Sequence, residues 1–127
     1  MGAKLTKKVN DEAIRKEVSE YPVVMYSKPH CGYCKMAKGL FRDEGIEYME
    51  KDLDLIKAVN PEGFQDYLNG LVYVTRQTTV PQIFVCSKFI GGYTELKKLQ
   101  DAKELWNQIQ QCADQYQQPP PPTLETP

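Results

Sequence analysis

The sequence predicts an α/β fold, a four-stranded mixed sheet flanked by helices on both faces. Three observations carry this. Hydrophobic periodicity alternates along the chain between the 3.6-residue repeat of a helix and short extended runs. The first two extended runs are separated by a helical segment, which makes them parallel, whereas the last two flank a tight turn and form a hairpin. Finally, 127 residues that are 41% hydrophobic and 26% charged have the composition of one globular domain.

Taken in order, Asn10-Asp11-Glu12 is a helix start, with Ala13, Ile14, Glu17 and Val18 following at helical spacing. Tyr21–Ser27 is an apolar run bounded by Pro22 and Ser27, hence a buried strand. After Lys28-Pro29-His30-Cys31-Gly32-Tyr33-Cys34 a second helix places Met36, Ala37, Leu40 and Phe41 on one side, and Gly45 suits its C-terminal cap. Ile46–Glu50 alternates as a second strand. Asn60-Pro61 offers an N-cap followed by Pro at the first helical position, opening a helix with Phe64, Tyr67, Leu68 and Leu71 on its apolar face. Pro81–Cys86 and Lys88–Ile90 are the hairpin, ended by Gly91-Gly92. The last helix carries Leu105, Trp106, Ile109, Cys112 and Ala113 on one stripe. The chain thus divides into a flexible N-terminus over 1–9, a domain over 10–116 and a Pro/Gln-rich tail over 117–127. Four consecutive prolines keep that tail out of helix and sheet, and it reads as a solvated segment.

Sixteen Lys+Arg against seventeen Asp+Glu give a net charge of -1, without the basic excess expected of a nucleic-acid binder. No run approaches the roughly 18 apolar residues of a membrane span, and Met1–Asn10 lacks the apolar core of a secretory signal. The expectation is a non-secreted, cytoplasmic domain. In that setting two structural disulfides are not expected of the four cysteines, and a zinc site would want two close pairs of ligands where there is one. No metal is expected from spacing alone. Cys86, ending a strand, and Cys112, on an apolar helical stripe, read as packing residues.

Cys31 and Cys34 read differently, because they lie between a strand and the helix that follows it. A thiol at a helix N-terminus faces unpaired backbone N–H groups and the positive end of the helix dipole, and both favour the reactive thiolate. Lys28 adds positive charge three residues earlier. Cys34, one turn into the helix, is more shielded. Cys31 is therefore the attacking thiol and Cys34 the resolving one. Two further segments fit this chemistry. A cis bond before Pro81 would turn the backbone of Thr79 and Val80 toward the cysteines, where Val80 could pair with an extended peptide. Gly92-Tyr93-Thr94-Glu95 opens a helix, with Thr94 as a cap, free N–H groups for a carboxylate and Glu95 for an ammonium.

Together, Lys28-x-x-Cys-Gly-Tyr-Cys, Gln65-Asp66-Tyr67-Leu68, Thr79-Val80-Pro81-Gln82-Ile83-Phe84 and Gly91-Gly92-x-Thr-Glu resemble the dithiol glutaredoxins over roughly Ile14–Ile109. The resemblance implies a thioredoxin fold and a glutathione site. It assigns Cys31 the glutathionyl mixed disulfide, and Lys28 and Gln65 the glycine carboxylate of glutathione. Tyr33 and Thr79 would line the groove, Val80 would pair with the cysteinyl backbone before cis Pro81, and Gly92, Thr94 and Glu95 would hold the γ-glutamyl end. The implied activity is glutathione-dependent reduction of protein–glutathione mixed disulfides through Cys31, and of protein disulfides through Cys31 and Cys34. The implied partners are glutathione and glutathionylated or disulfide-containing proteins, met by a monomer.

This sequence departs from the family pattern at Gly32, where proline is usual, at Tyr93, where many members have a third cysteine, and at Glu95, where aspartate is commoner. It is also longer between Gln65 and Val80. Some members with Gly or Ser at the position of Gly32 hold a [2Fe–2S] cluster between two subunits, ligated by the first cysteine of each and by two glutathiones. Cluster binding through Cys31 of a dimer is therefore the alternative expectation. A thioredoxin reading fits less well, since the usual Trp-Cys-Gly-Pro-Cys is absent and the only tryptophan is Trp106.

Overall fold

The apolar run after Pro22 becomes β1 (Val23–Ser27), all five residues of which are buried, as a strand covered on both faces requires. In the computed structural model, which describes residues 8–116, β1 pairs in parallel with β2 (Met49–Asp52) and antiparallel with β3 (Gln82–Val85). β4 (Lys88–Gly91) completes the hairpin and the order β2-β1-β3-β4. The proline-rich tail and residues 1–7 of the N-terminal segment lie outside the described residues.

Strand alternation divides the core in two. Val23, Met25, Ile83 and Val85 point to α2 (Gly32–Glu44), α5 (Tyr93–Asp101) and α6 (Leu105–Ala113), where Ala37, Phe41, Leu96 and Ile109 bury against them. Val24, Tyr26 and Phe84 point the other way, to Ile14 and Val18 of α1 (Asp11–Val18), Leu53 of α3 (Leu53–Val59), and Tyr67 and Leu71 of α4 (Phe64–Thr75). The polar atoms of this second face meet at one carboxylate. The Tyr26 and Tyr67 hydroxyls donate to Glu17 Oε1 at 2.7 and 2.6 Å, and burial pushes both phenols above their ordinary range. α1 and α4 approach closely because Gly70 has no side chain: a Cβ there would collide with the backbone of Asn10, whose N–H donates to Asp66 O at 2.9 Å.

Local boundaries differ from the sequence reading in four places. The second strand pairs only from Met49, and Ile46 instead plugs into the core from the loop. The short helix α3 was not expected; Asp52 starts it by accepting from the Asp54 and Leu55 N–H groups at 2.9 and 3.2 Å. Asn60 ends that helix rather than capping the next one, and its Oδ1 accepts from Gly63 N–H at 3.1 Å, so α4 begins only at Phe64. The extra length after Gln65 is taken up by α4 and its C-terminal turn. Arg76 adopts the left-handed conformation (φ 61°) and the Thr75 hydroxyl bonds Leu71 O and Gln77 N–H.

The largest correction concerns Cys86 and Cys112, which are joined in a disulfide rather than serving as separate packing residues. Cys86 is not a strand residue. With Ser87 it forms the β3–β4 turn, both residues at positive φ (51° and 68°), as a two-residue hairpin requires. The turn aims its sulfur at α6, where Cys112 is buried on the expected stripe.

Candidate active site

Cys31 is the N-cap of α2, and its Sγ accepts the Cys34 N–H at 3.1 Å. This sulfur therefore sits where negative charge meets free backbone donors at the head of a 13-residue helix. It is half-buried, whereas Cys34 is 1% exposed. Burial, together with the hydrogen bond and charge of Cys31, pushes the Cys34 thiol up to about 12. Both cysteines are free thiols. The asymmetry read from spacing is thus a difference in environment, one sulfur reachable and one protected.

The peptide bond between Val80 and Pro81 is cis, and the Val80 carbonyl oxygen lies 3.6 Å from Cys31 Sγ. A groove of about 460 Å³ runs from this point and brings together Tyr33, Thr79, Val80, Pro81, Gly92, Thr94 and Glu95. A second cavity of about 350 Å³, sharing Thr79 and Val80 with the first, is lined by Lys28. Val80, whose carbonyl is the Cys31 neighbour, lines both. Seven of the eleven residues singled out in the sequence line the first groove, and Lys28 lines the second with Thr79 and Val80. Gln65 does not: it lines a neighbouring depression and its Nε2 donates to Asn69 Oδ1 at 2.9 Å. Thr94 does not cap α5, because Gly92 holds that position, and the Gly92 N–H donates to Glu95 Oε1 at 2.9 Å. Glu95 thus occupies one of the donors that the sequence reading left open for a ligand carboxylate.

Sequence reasoning missed three residues here. Gln77, in the lengthened segment, lines the main groove. Tyr93 stacks on Tyr33 with ring centroids 6.1 Å apart and forms one wall, with Tyr33 itself 62% exposed. Gln82 is 1% exposed and its Nε2 donates to the carbonyls of Gln77 and Thr79 at 3.0 and 2.9 Å, which pins the segment that forms the groove floor. Its signal was a polar residue inside an otherwise apolar strand. A depression of about 650 Å³ between α1 and α4 contains none of the predicted site residues. Among the described residues no cluster of three or more His, Cys, Asp or Glu is placed to hold a metal ion, and no helix is long and apolar enough to cross a membrane.

Residues 23–90 match the glutaredoxin family model. Human mitochondrial glutaredoxin-2 is 40% identical over 99 residues, 78% of this chain, and the chain spans 57% of that relative's length. Among solved structures, the buckwheat glutaredoxin–glutathione complex superposes with a TM-score of 0.71 at 28% identity, covering 81% of this chain and 89% of the other. The holo form of glutaredoxin C1 from Populus tremula x tremuloides gives 0.69 at 31% identity, covering 80% and 95%. The α/β architecture is that of the thioredoxin fold, and the family match takes in the strand, the Cys-Gly-Tyr-Cys turn, the cis-proline segment and the hairpin. The chain belongs to the glutaredoxin family.

Proposed function

We propose that this protein is a dithiol glutaredoxin, a glutathione-dependent thiol–disulfide oxidoreductase. The observation that carries the reading is the half-buried Cys31 sulfur at the N-terminus of α2, 3.6 Å from the carbonyl of Val80, a residue that lines the groove with Thr79, Pro81, Gly92 and Thr94. An extended backbone pairing with Val80 would lay a cysteinyl sulfur beside Cys31. Lys28 supplies positive charge for the glycine carboxylate, and Tyr33 with Tyr93 covers the peptide. Thr94 and the α5 N-terminus receive the γ-glutamyl end. Gln65, turned to Asn69, joins only by changing partners.

In the monothiol route the Cys31 thiolate attacks the glutathionyl sulfur of a mixed disulfide, and the protein thiol leaves. A second glutathione thiolate then attacks that sulfur on Cys31, releasing glutathione disulfide and restoring the thiolate. For a protein disulfide, Cys34 displaces the substrate from Cys31, and two glutathiones reduce the resulting Cys31–Cys34 disulfide. The substrates are glutathionylated and disulfide-bonded proteins, and the acting form is a monomer. Turnover of a glutathionylated peptide with glutathione, glutathione reductase and NADPH tests this. Cys31→Ser should be inactive and Cys34→Ser largely active; negligible wild-type turnover would overturn the reading.

A second reading, favoured by the accessible Cys31 and by the open space around Gly32, is a [2Fe–2S] cluster between two copies. Each chain would supply Cys31, and two glutathiones would complete the four sulfur ligands. Anaerobic reconstitution yielding a coloured dimer supports it, and a colourless monomer excludes it. The cytoplasmic address is likewise a proposal, set against the mitochondrial name of the human relative. Imaging of the tagged full-length protein decides it.

A further inference from the structure

The lengthened segment between Gln65 and Val80 builds a surface beyond the main groove. Along α4 and its C-terminal turn, Gln65, Leu68, Asn69, Val72, Tyr73 and Arg76 recur at spacings of three and four, hence on one face of the helix. This face forms a depression of about 660 Å³. The depression shares Leu68, Val72 and Thr78 with the cavity lined by Lys28, and that cavity shares Thr79 and Val80 with the main groove. The three adjoin in series, from Val80 past Thr78 to Arg76.

The charge along this trough has one sign. Among the described residues none that lines the Lys28 cavity or the α4 depression is acidic, and neither Lys28 nor Arg76 has a carboxylate within ion-pair distance. Both side chains are exposed. The Arg76 guanidinium lies over the Tyr73 ring, 4.9 Å from its centroid. Stacking engages the face of that planar group and leaves its N–H edge free for a carboxylate. Arg76 also holds the left-handed position (φ 61°) that closes α4, where glycine is favoured. Glycine would be less strained there, so the fold by itself does not ask for arginine. The residues common to the two cavities, Leu68, Val72 and Thr78, give a mainly apolar floor between the two cations.

We propose that this trough is a subsite for an acidic segment of a protein substrate, with Arg76 as its specificity-determining residue. The inference rests on the oxidoreductase reading above and names the substrate class: proteins whose disulfide-forming cysteine is followed in the chain by Asp or Glu. In that reading the cysteinyl backbone of glutathione pairs with Val80 and its glycine carboxylate ends at Lys28. A peptide laid in the same direction does not end there. It carries the residues after its cysteine along the trough, where their carboxylates meet Lys28 first and Arg76 next. Glutathione has one residue after its cysteine and stops at Lys28, so Arg76 separates a protein substrate from glutathione itself.

Reaction of the reduced full-length protein with two synthetic peptides tests this. Each is Ala-Cys-Ala-X-Ala-X, blocked at both ends, with its cysteine in a disulfide with thionitrobenzoate. X is Glu in one peptide and Gln in the other. The Cys31 thiolate attacks the peptide sulfur, the S–S bond breaks, and coloured thionitrobenzoate leaves with the electron pair while the peptide stays on Cys31. No glutathione is involved. Each rate is divided by that of the same peptide with mercaptoethanol, which removes the intrinsic reactivity of the two peptides.

An exposed ion pair contributes about threefold, so with Lys28 and Arg76 both engaged wild type should favour the Glu peptide about tenfold in about 0.02 M salt, and much less in about 0.5 M. Arg76→Gly, which suits the left-handed position, should lower the preference to about threefold while the protein stays as stable as wild type or more. Arg76→Lys should keep most of the preference. Equal rates for the two peptides in wild type, a preference that Arg76→Gly leaves intact, or one that high salt does not weaken would overturn the subsite. No thionitrobenzoate release from either peptide would overturn the oxidoreductase reading with it. Failure to turn over a glutathionylated peptide, with the Glu preference holding, would overturn only the glutathione reading.

Discussion

The two cysteine pairs of this protein obey opposite rules. Cys31 and Cys34 are three residues apart, share one helix end and are free thiols. Cys86 and Cys112 are 26 residues apart, come from a hairpin turn and a helix, and are bonded. In the first pair Cys31 Sγ lies between the Val80 carbonyl and the Cys34 N–H, and Cys34 is buried behind it. The second is half-buried to buried against the core face built from α2, α5 and α6. Each pair has one half-buried and one buried sulfur, and what separates them is place in the fold. A reachable sulfur at a helix N-terminus exchanges partners, whereas a sulfur pair closing a loop between packed elements constrains the chain.

The strongest way to break this comparison is to exchange the consequences of removing a sulfur. Cys31→Ser should abolish turnover of a glutathionylated peptide, by roughly a thousandfold or more, as loss of an acting nucleophile does. Cys112→Ala should leave that turnover within about twofold of wild type, because neither sulfur of the second pair lines the groove. Comparable losses in both variants would erase the distinction. Stability should show the reverse order. Opening a loop closed across 26 residues removes about 3.5 kcal/mol by chain entropy. Denaturant midpoints of Cys112→Ala and Cys31→Ser should therefore differ widely, with only the former lowered.

A smaller effect sharpens the contrast within the first pair. The folded-state Cys34 thiol is pushed up to about 12, above the ordinary value of about 8.5, because burial penalises the thiolate. The stabilisation from keeping it neutral is complete below about pH 8.5 and is lost as pH rises toward 12, when the unfolded chain has given up that proton. Reduced wild type should lose up to about 1.4 kcal/mol per pH unit over that window relative to Cys34→Ser. Parallel stability curves for the two would show that Cys34 is not protected from ionisation. Smallest of all is Gly32→Pro. Gly32 is the first residue of α2, and a Cβ there meets nothing within 4 Å, so proline should keep the fold and raise stability by about 0.5 kcal/mol. A lowered midpoint would show that the turn needs the freedom of glycine.

Much of this was legible in the sequence because it is local. The helix from Gly32 to its left-handed cap at Gly45, the buried strand after Pro22 and the existence of the β3–β4 hairpin follow from spacing and periodicity over a few residues, although its turn includes Cys86. The position of Cys31 at the N-terminus of α2 followed from its place between strand and helix. Other assignments failed where two local rules competed. Asn60-Pro61 satisfies the pattern of a helix start, yet α3 ends there and Asn60 bridges to Gly63 instead. Thr94 has the chemistry of a cap, but Gly92 reaches the extended conformation one residue before α5 and takes the position.

Legible in the chain alone are therefore the succession of the four strands, the two-sided core and the place of Cys31 at a helix N-terminus, since periodicity and helix-end chemistry act over one or two turns of chain. The tertiary structure alone decided which distant groups meet. It joined Cys86 to Cys112, sent Gln65 to Asn69, and drew Ser27, Lys38 and Glu50 together across β1, α2 and β2. Such meetings depend on how strands register and helices dock across the sheet, and no spacing along the chain encodes the distance between residues that only packing brings together.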